Sequence, residues 1–218
     1  LLMTVLGLVL LVGCPDAELP TSISQLQPAW VDVTPDLCVD RPLSAGSAEL
    51  DLALEVLDDL GVASLRGDIR WDWVEPTQGA FDYSLYDPLV GALTDLGIVQ
   101  FATLAYGNPW ASSAPGADAF YPPDDPSDFA AYAGNTASHF AGLIQRYEIW
   151  SEPNAGYRFW KPDFDGDPAA YSSLLYLAAG AVHAADTDAE VWIGGTFFHD
   201  QFITGSVDFL SALSPVIW

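Results

Sequence analysis

The segment Arg146-Tyr147-Glu148-Ile149-Trp150-Ser151-Glu152-Pro153-Asn154 gathers two carboxyl groups, an arginine and an indole in one short stretch. Side chains alternate along a strand. Arg146, Glu148, Trp150 and Glu152 are therefore expected on one face, and Tyr147 and Ile149 on the other. Glu152 falls at the C-terminal edge, where Pro153 ends the hydrogen bonding. A carboxyl group beside an indole can have its pKa raised by the apolar neighbour and stay protonated to act as an acid.

The elements that must position this segment repeat in one pattern: an apolar run, a loop, then a helical period closed by glycine or a polar turn. Ser47 to Leu60 sets Leu50, Ala53, Leu54, Leu57 and Leu60 on one helical face, with Glu49 in the first turn and Gly61 as the stop. Val62 to Arg66 reads as a strand. Ser84 to Leu96 is helical up to Gly97, and Ile98 to Tyr106 is a strand buried on both faces. Ser127 is expected to cap a helix reaching Leu143, before a strand from Arg146 to Trp150. Asp167 with Pro168 opens the next helix as cap and first-turn pair. Glu190 to Gly194 is a fifth strand, Val207 to Leu213 a short helix, and Pro215 to Trp218 the expected start of a sixth strand.

Alternating strands and helices indicate a parallel α/β architecture, doubly wound or barrel. Periodicity does not choose between them. A dinucleotide-binding fold would need a glycine-rich turn after its first strand, and neither GxGxxG nor a P-loop occurs. The long segments Asp68 to Tyr83, Gly107 to Pro126 and Ser151 to Asp167 all follow strands, whereas the turns after helices are short. A barrel whose working face lies at the strand C-termini shows that asymmetry.

At Trp150-Ser151-Glu152-Pro153-Asn154 the sequence resembles the clan A glycoside hydrolases, the (β/α)8 group with cellulase-like and xylosidase-like (family 39) branches. Their mark is Asn-Glu-Pro at the end of the fourth strand. Ser151 stands here in place of that Asn. The likeness extends through Leu65-Arg66, Arg70-Trp71-Asp72-Trp73-Val74-Glu75-Pro76, Gly79-Ala80-Phe81-Asp82-Tyr83 and Tyr106-Gly107-Asn108-Pro109. The resemblance implies a retaining glycosidase with Glu152 as general acid/base. It implies substrate contacts from Arg66, Trp71, Tyr106, Asn108, Trp150, Ser151, Asn154, Tyr157 and Trp160. Family Asn contacts a sugar hydroxyl that the shorter Ser151 does not reach alone. Rings on strand-exit loops, Trp73 and Trp110 among them, can stack on sugar faces, with simple packing the alternative for any single one. A retaining enzyme needs a second carboxyl roughly 5 to 5.5 Å from the first. The family carries it on the seventh strand, so no residue here is assigned as nucleophile. A whole barrel takes about 250 residues, and the sequence is expected to supply about five of its eight units as part of a longer reading frame. The alternatives are a non-catalytic sugar-binding relative and a structural surface lipoprotein.

Six basic residues against 30 acidic ones, a net charge of −24, exclude nucleic acid and a polybasic membrane contact. The N-terminal LLMTVLGLVLLVG is too short for a bilayer span of roughly 20 residues and reads as a signal segment, residues 1–13. Cys14 then carries lipid, residues 14–29 form a tether, and the folded domain covers 30–218, outside the cytoplasm. No cofactor or metal is implied. Cys14 and Cys38 form no CxxC, the histidines lack paired spacing, and Asp163, Asp165 and Asp167 read as a polar loop ending in a cap.

Overall fold

The computed structural model describes residues 37–40, 48–163, 165–197 and 206–213. The signal segment 1–13, Cys14, the tether 14–29 and the sixth-strand candidate Pro215 to Trp218 lie outside them.

Five strands form one parallel sheet in sequential order. They are β1 (Leu37–Asp40), β2 (Val62–Arg70), β3 (Val99–Ala105), β4 (Arg146–Ile149) and β5 (Glu190–Ile193). Each pair is joined through helix: α1 (Ala48–Asp59), the short α2 (Trp71–Val74) with α3 (Asp87–Asp95), α4 (Pro126–His139), and the short α5 (Gly156–Phe159) with α6 (Pro168–Ala185). The last helix is α7 (Ser206–Ala212). The order settles what periodicity left open. Right-handed crossovers between sequential strands put every helix on one side of the sheet, as in a barrel, whereas a doubly wound sheet reverses direction.

Burial follows from that geometry. Ile69, Ala102, Leu104, Tyr147 and Ile149 point outward into a core shared with Phe129, Tyr132 and Ala133 of α4 and Tyr171, Leu174 and Ala178 of α6. A second apolar cluster joins Leu50 and Leu57 of α1 to Val62, Leu65, Leu89 and Leu93. The opposite face is polar, and its register aligns Asp68, Thr103, Glu148 and Trp192 in one row across β2 to β5.

Helix signals mostly hold. Asp167 accepts hydrogen bonds from the backbone of Ala169 and Ala170, with Pro168 in the first turn. Three boundaries are corrected. Asp125, not Ser127, caps α4, because its carboxylate takes the Ser127 amide at 2.9 Å and hydroxyl at 2.7 Å. The helix ends at His139, and residues 140–143 turn. Strand β2 continues past Arg66 to Arg70, since β3 supplies ladder partners through Arg70↔Ala105. Asp68 therefore belongs to the strand and to the inner row, not to a loop.

Candidate active site

Strand β4 is the centre of the site. Tyr147 and Ile149 are fully buried against the helices, as alternation requires, and Glu148 points inward with 3% of its surface exposed. A carboxylate so far from water must be paired. Its Oε2 accepts from Arg66 Nε at 2.6 Å and Thr103 Oγ1 at 2.8 Å, and its Oε1 accepts from the Gly195 amide at 2.7 Å. One carboxylate thus ties β2, β3 and the β5 exit to β4. Lower on the inner face, Arg146 pairs with Glu190 at 3.4 Å.

Beyond Ile149 the alternation stops. Trp150 has φ +67° and Glu152 φ +50°, left-handed conformations that cost an L-residue roughly 1–2 kcal/mol each. Packing holds them there. The Trp150 amide donates to Leu104 O at 3.0 Å, its indole Nε1 donates to Phe159 O at 2.8 Å, and the ring packs on Tyr106, Phe129 and Trp160. Trp150 does not share the inner face with Glu148, as a straight strand would require. The twist turns it into the outer aromatic cluster.

After this turn the Glu152 amide donates to Gly195 O at 2.7 Å. Asn154, fully buried, donates through Nδ2 to Phe197 O at 2.7 Å and accepts the Phe197 amide at 2.8 Å. Gly194 permits this seam between the two strand exits, because a Cβ there would lie 2.9 Å from the carbonyl oxygens of Ile149 and Trp150.

The Glu152 carboxyl accepts no hydrogen bond from any described residue. Partial burial raises its pKa, opposed by the charges of Arg158 and Arg66 and reinforced by Glu148. Its charged neighbours Arg66 and Glu148 belong to the inner network, so the carboxyl lies on that side of the sheet. Beside it, Arg66 Nη2 donates to Ser151 Oγ at 3.3 Å. The Tyr106 hydroxyl contacts Ser151, and burial with nearby Asp68 pushes its pKa up to about 12. The Tyr106 ring itself is packed against Phe120, Trp150 and Phe159. Arg66, Tyr106, Ser151 and Glu152 thus come together as one polar cluster.

Other expected contacts do not reach it as open surfaces. Trp71, Trp150 and Trp160 are buried and offer no ring face to a sugar. Trp71 packs among Trp110, Phe129 and Tyr132, and its Nε1 donates to Glu75. Asn108 is buried and donates to the carbonyl of Glu75 at 2.8 Å, fastening the β2 exit loop. Asn154 uses both ends of its amide on Phe197. Tyr157 and Trp73 are exposed, at 46% and 49%. Thr103 and Gly195 are inner-network members that the sequence reading missed. Their signals were a hydroxyl at inward parity in an apolar strand, and a Gly-Gly pair directly after one.

No family model matches the chain, and no curated protein sequence matches it. Solved structures do. A family 39 glycoside hydrolase from the gut symbiont Bacteroides cellulosilyticus WH2 is 20% identical with a TM-score of 0.59, over 73% of this chain and 31% of that one. The GH39 enzyme from Xanthomonas axonopodis pv. citri is 21% identical with a TM-score of 0.59, over 72% and 34%. An exo-β-1,4-mannosidase from Opitutaceae bacterium strain TAV5 is 21% identical with a TM-score of 0.56, over 73% and 31%. The likeness establishes the fold, five β/α units of a (β/α)8 barrel. The chain spans about a third of the length of these structures.

Proposed function

We propose that this chain carries the acid/base half of a retaining glycoside hydrolase, with Glu152 as the proton donor. One observation supports the reading above others: at a barrel strand exit, a half-buried carboxyl with a raised pKa receives no hydrogen bond from the described residues. In the first step Glu152 gives its proton to the glycosidic oxygen as the C–O bond breaks. A second carboxylate, on a strand that the described residues do not include, bonds to the anomeric carbon. In the second step water attacks the anomeric carbon, Glu152 takes its proton, and the bond to the second carboxylate breaks. Arg66, Tyr106 and Ser151 face the same place and would bind a hydroxyl of the sugar, and a carbohydrate is the expected partner. Lipid attachment at Cys14, outside the cytoplasm, belongs to the same proposal, and labelled fatty acid should be incorporated by the wild type and lost in Cys14→Ser.

The test uses the complete gene product. Glu152→Gln should cut turnover of glycosides with poor leaving groups by about 10²- to 10⁴-fold, and cut it less for activated aryl glycosides. Full turnover of unactivated glycosides by Glu152→Gln would falsify the assignment. Ser151 in the place of the family's Asn favours a second reading, a sugar binder without catalysis. Such a protein would bind oligosaccharides and turn none over.

A further inference from the structure

Trp73 differs from the other indoles at the strand exits. Trp71, Trp150 and Trp160 are enclosed by other rings, whereas Trp73 stands half exposed on α2, directly after β2. Its ring is nonetheless braced. The Arg70 guanidinium lies over it, 4.9 Å from the centroid. That guanidinium is held in turn by a two-pronged bond to Asp72, Nε to Oδ1 at 2.9 Å and Nη2 to Oδ2 at 2.8 Å. A planar fork held by two bonds is oriented, and it favours one orientation of the indole beside it.

Position matters as much as rigidity. Arg70 has the same strand parity as Arg66 and Asp68, whose face carries the Glu148 network. The ring that Arg70 backs therefore borders the inner rim. Strands β2 and β4 are separated only by β3, about 10 Å at two strand spacings, and α2 extends the β2 side further. A sugar at Trp73 would not be one of the pair whose bond Glu152 protonates. It would be a unit farther along the same saccharide.

A half-exposed indole with a cation over one face can offer the other to a ligand, and the C–H face of a pyranose ring fits it. We infer that Trp73, braced by Arg70 and Asp72, is the stacking platform of a distal sugar subsite, and that the site takes oligosaccharides in preference to single glycosides. The subsite is placed relative to Glu152 and so rests on the glycosidase reading.

The experiment measures binding in the complete gene product carrying Glu152→Gln, so that turnover does not interfere. The probes are β-1,4-linked xylo-, gluco- and manno-oligosaccharides from di- to pentasaccharide. Adding Trp73→Ala should weaken pentasaccharide binding about tenfold, equivalent to about 1.4 kcal/mol, and the loss should shrink as the chain shortens. Trp73→Tyr should recover most of the affinity, which a folding defect would not allow. An equal loss at every length, no loss at the longest, or no recovery in Trp73→Tyr overturns the platform. So does absence of binding by every probe in the parent protein. Length-dependent binding through Trp73, together with undiminished turnover by Glu152→Gln alone, would keep the platform and remove the acid/base role.

Discussion

Two corners of this molecule carry a Trp followed by Glu-Pro, and they use the carboxyl in opposite ways. At the β2 exit Trp71 Nε1 donates to Glu75 Oε2 at 2.7 Å, and the Gly79 amide donates to Glu75 Oε1 at 2.6 Å. Glu75 is buried, and its carbonyl also receives Trp110 Nε1 at 2.9 Å. At the β4 exit the left-handed turn at Trp150 sends the indole outward to Phe159 O, so Glu152 receives nothing from it. The first carboxylate holds its own loop together. The second takes no hydrogen bond from any described residue. What separates them is where the neighbouring indole finds its acceptor, which a Glu-Pro motif alone does not reveal.

The comparison can be broken most severely at the support beneath Glu152. Arg66→Leu strips the buried Glu148 carboxylate of its charged partner and should cost about 3 kcal/mol in urea unfolding. It should also disturb Ser151, which shares the guanidinium. A loss no larger than that of an exposed arginine would mean that the Glu148 network does not hold the strands. Trp71→Phe comes next. It keeps the ring and removes one donor to Glu75, for an expected loss of about 1–2 kcal/mol. Trp150→Phe orphans a backbone carbonyl instead and should leave the Glu75 corner intact. Equal effects of the two on amide exchange near Gly79 would erase the distinction.

Smaller effects sharpen it. Glu152 has its folded pKa above the unfolded value, so its protonated form is favoured by folding. The associated stability is fully present below the unfolded carboxylate range and is lost as pH rises through the raised value. Glu152→Gln, which imitates the protonated acid, should be close to neutral in acid and stabilising at neutral pH. Arg158→Gln is expected to have the least effect. Arg158 is the strongest nearby charge favouring the ionised form, so its removal should move the Glu152 pKa further up and, on the proposed glycosidase function, the basic limb of kcat/KM with it. A downward movement would place another group in control.

Much of this was legible in the chain. Helix periods with glycine stops, the Asp167-Pro168 cap and the long post-strand segments follow from local chemistry, and they point to parallel units with Glu152 at an exit. What escaped was set by distant partners. The turn at Trp150 depends on Leu104 and Phe159, the closure of Glu75 on Trp71 and Gly79, and the extension of β2 through Asp68 on the β3 ladder. The aromatic residues illustrate the same limit. Composition could place them at the exits, but only packing separates the enclosed Trp71 and Trp160 from the exposed Trp73 and Tyr157.

A residue-resolved carbon-13 titration of the glutamate carboxyls, with Glu152→Gln to assign its signal, tests the account at its centre. Glu152 should titrate above the ordinary glutamate range, and still higher in Arg158→Gln. A Glu152 signal that titrates at or below the ordinary carboxylate range would contradict the proposal that burial at the β4 exit favours the protonated form of this group.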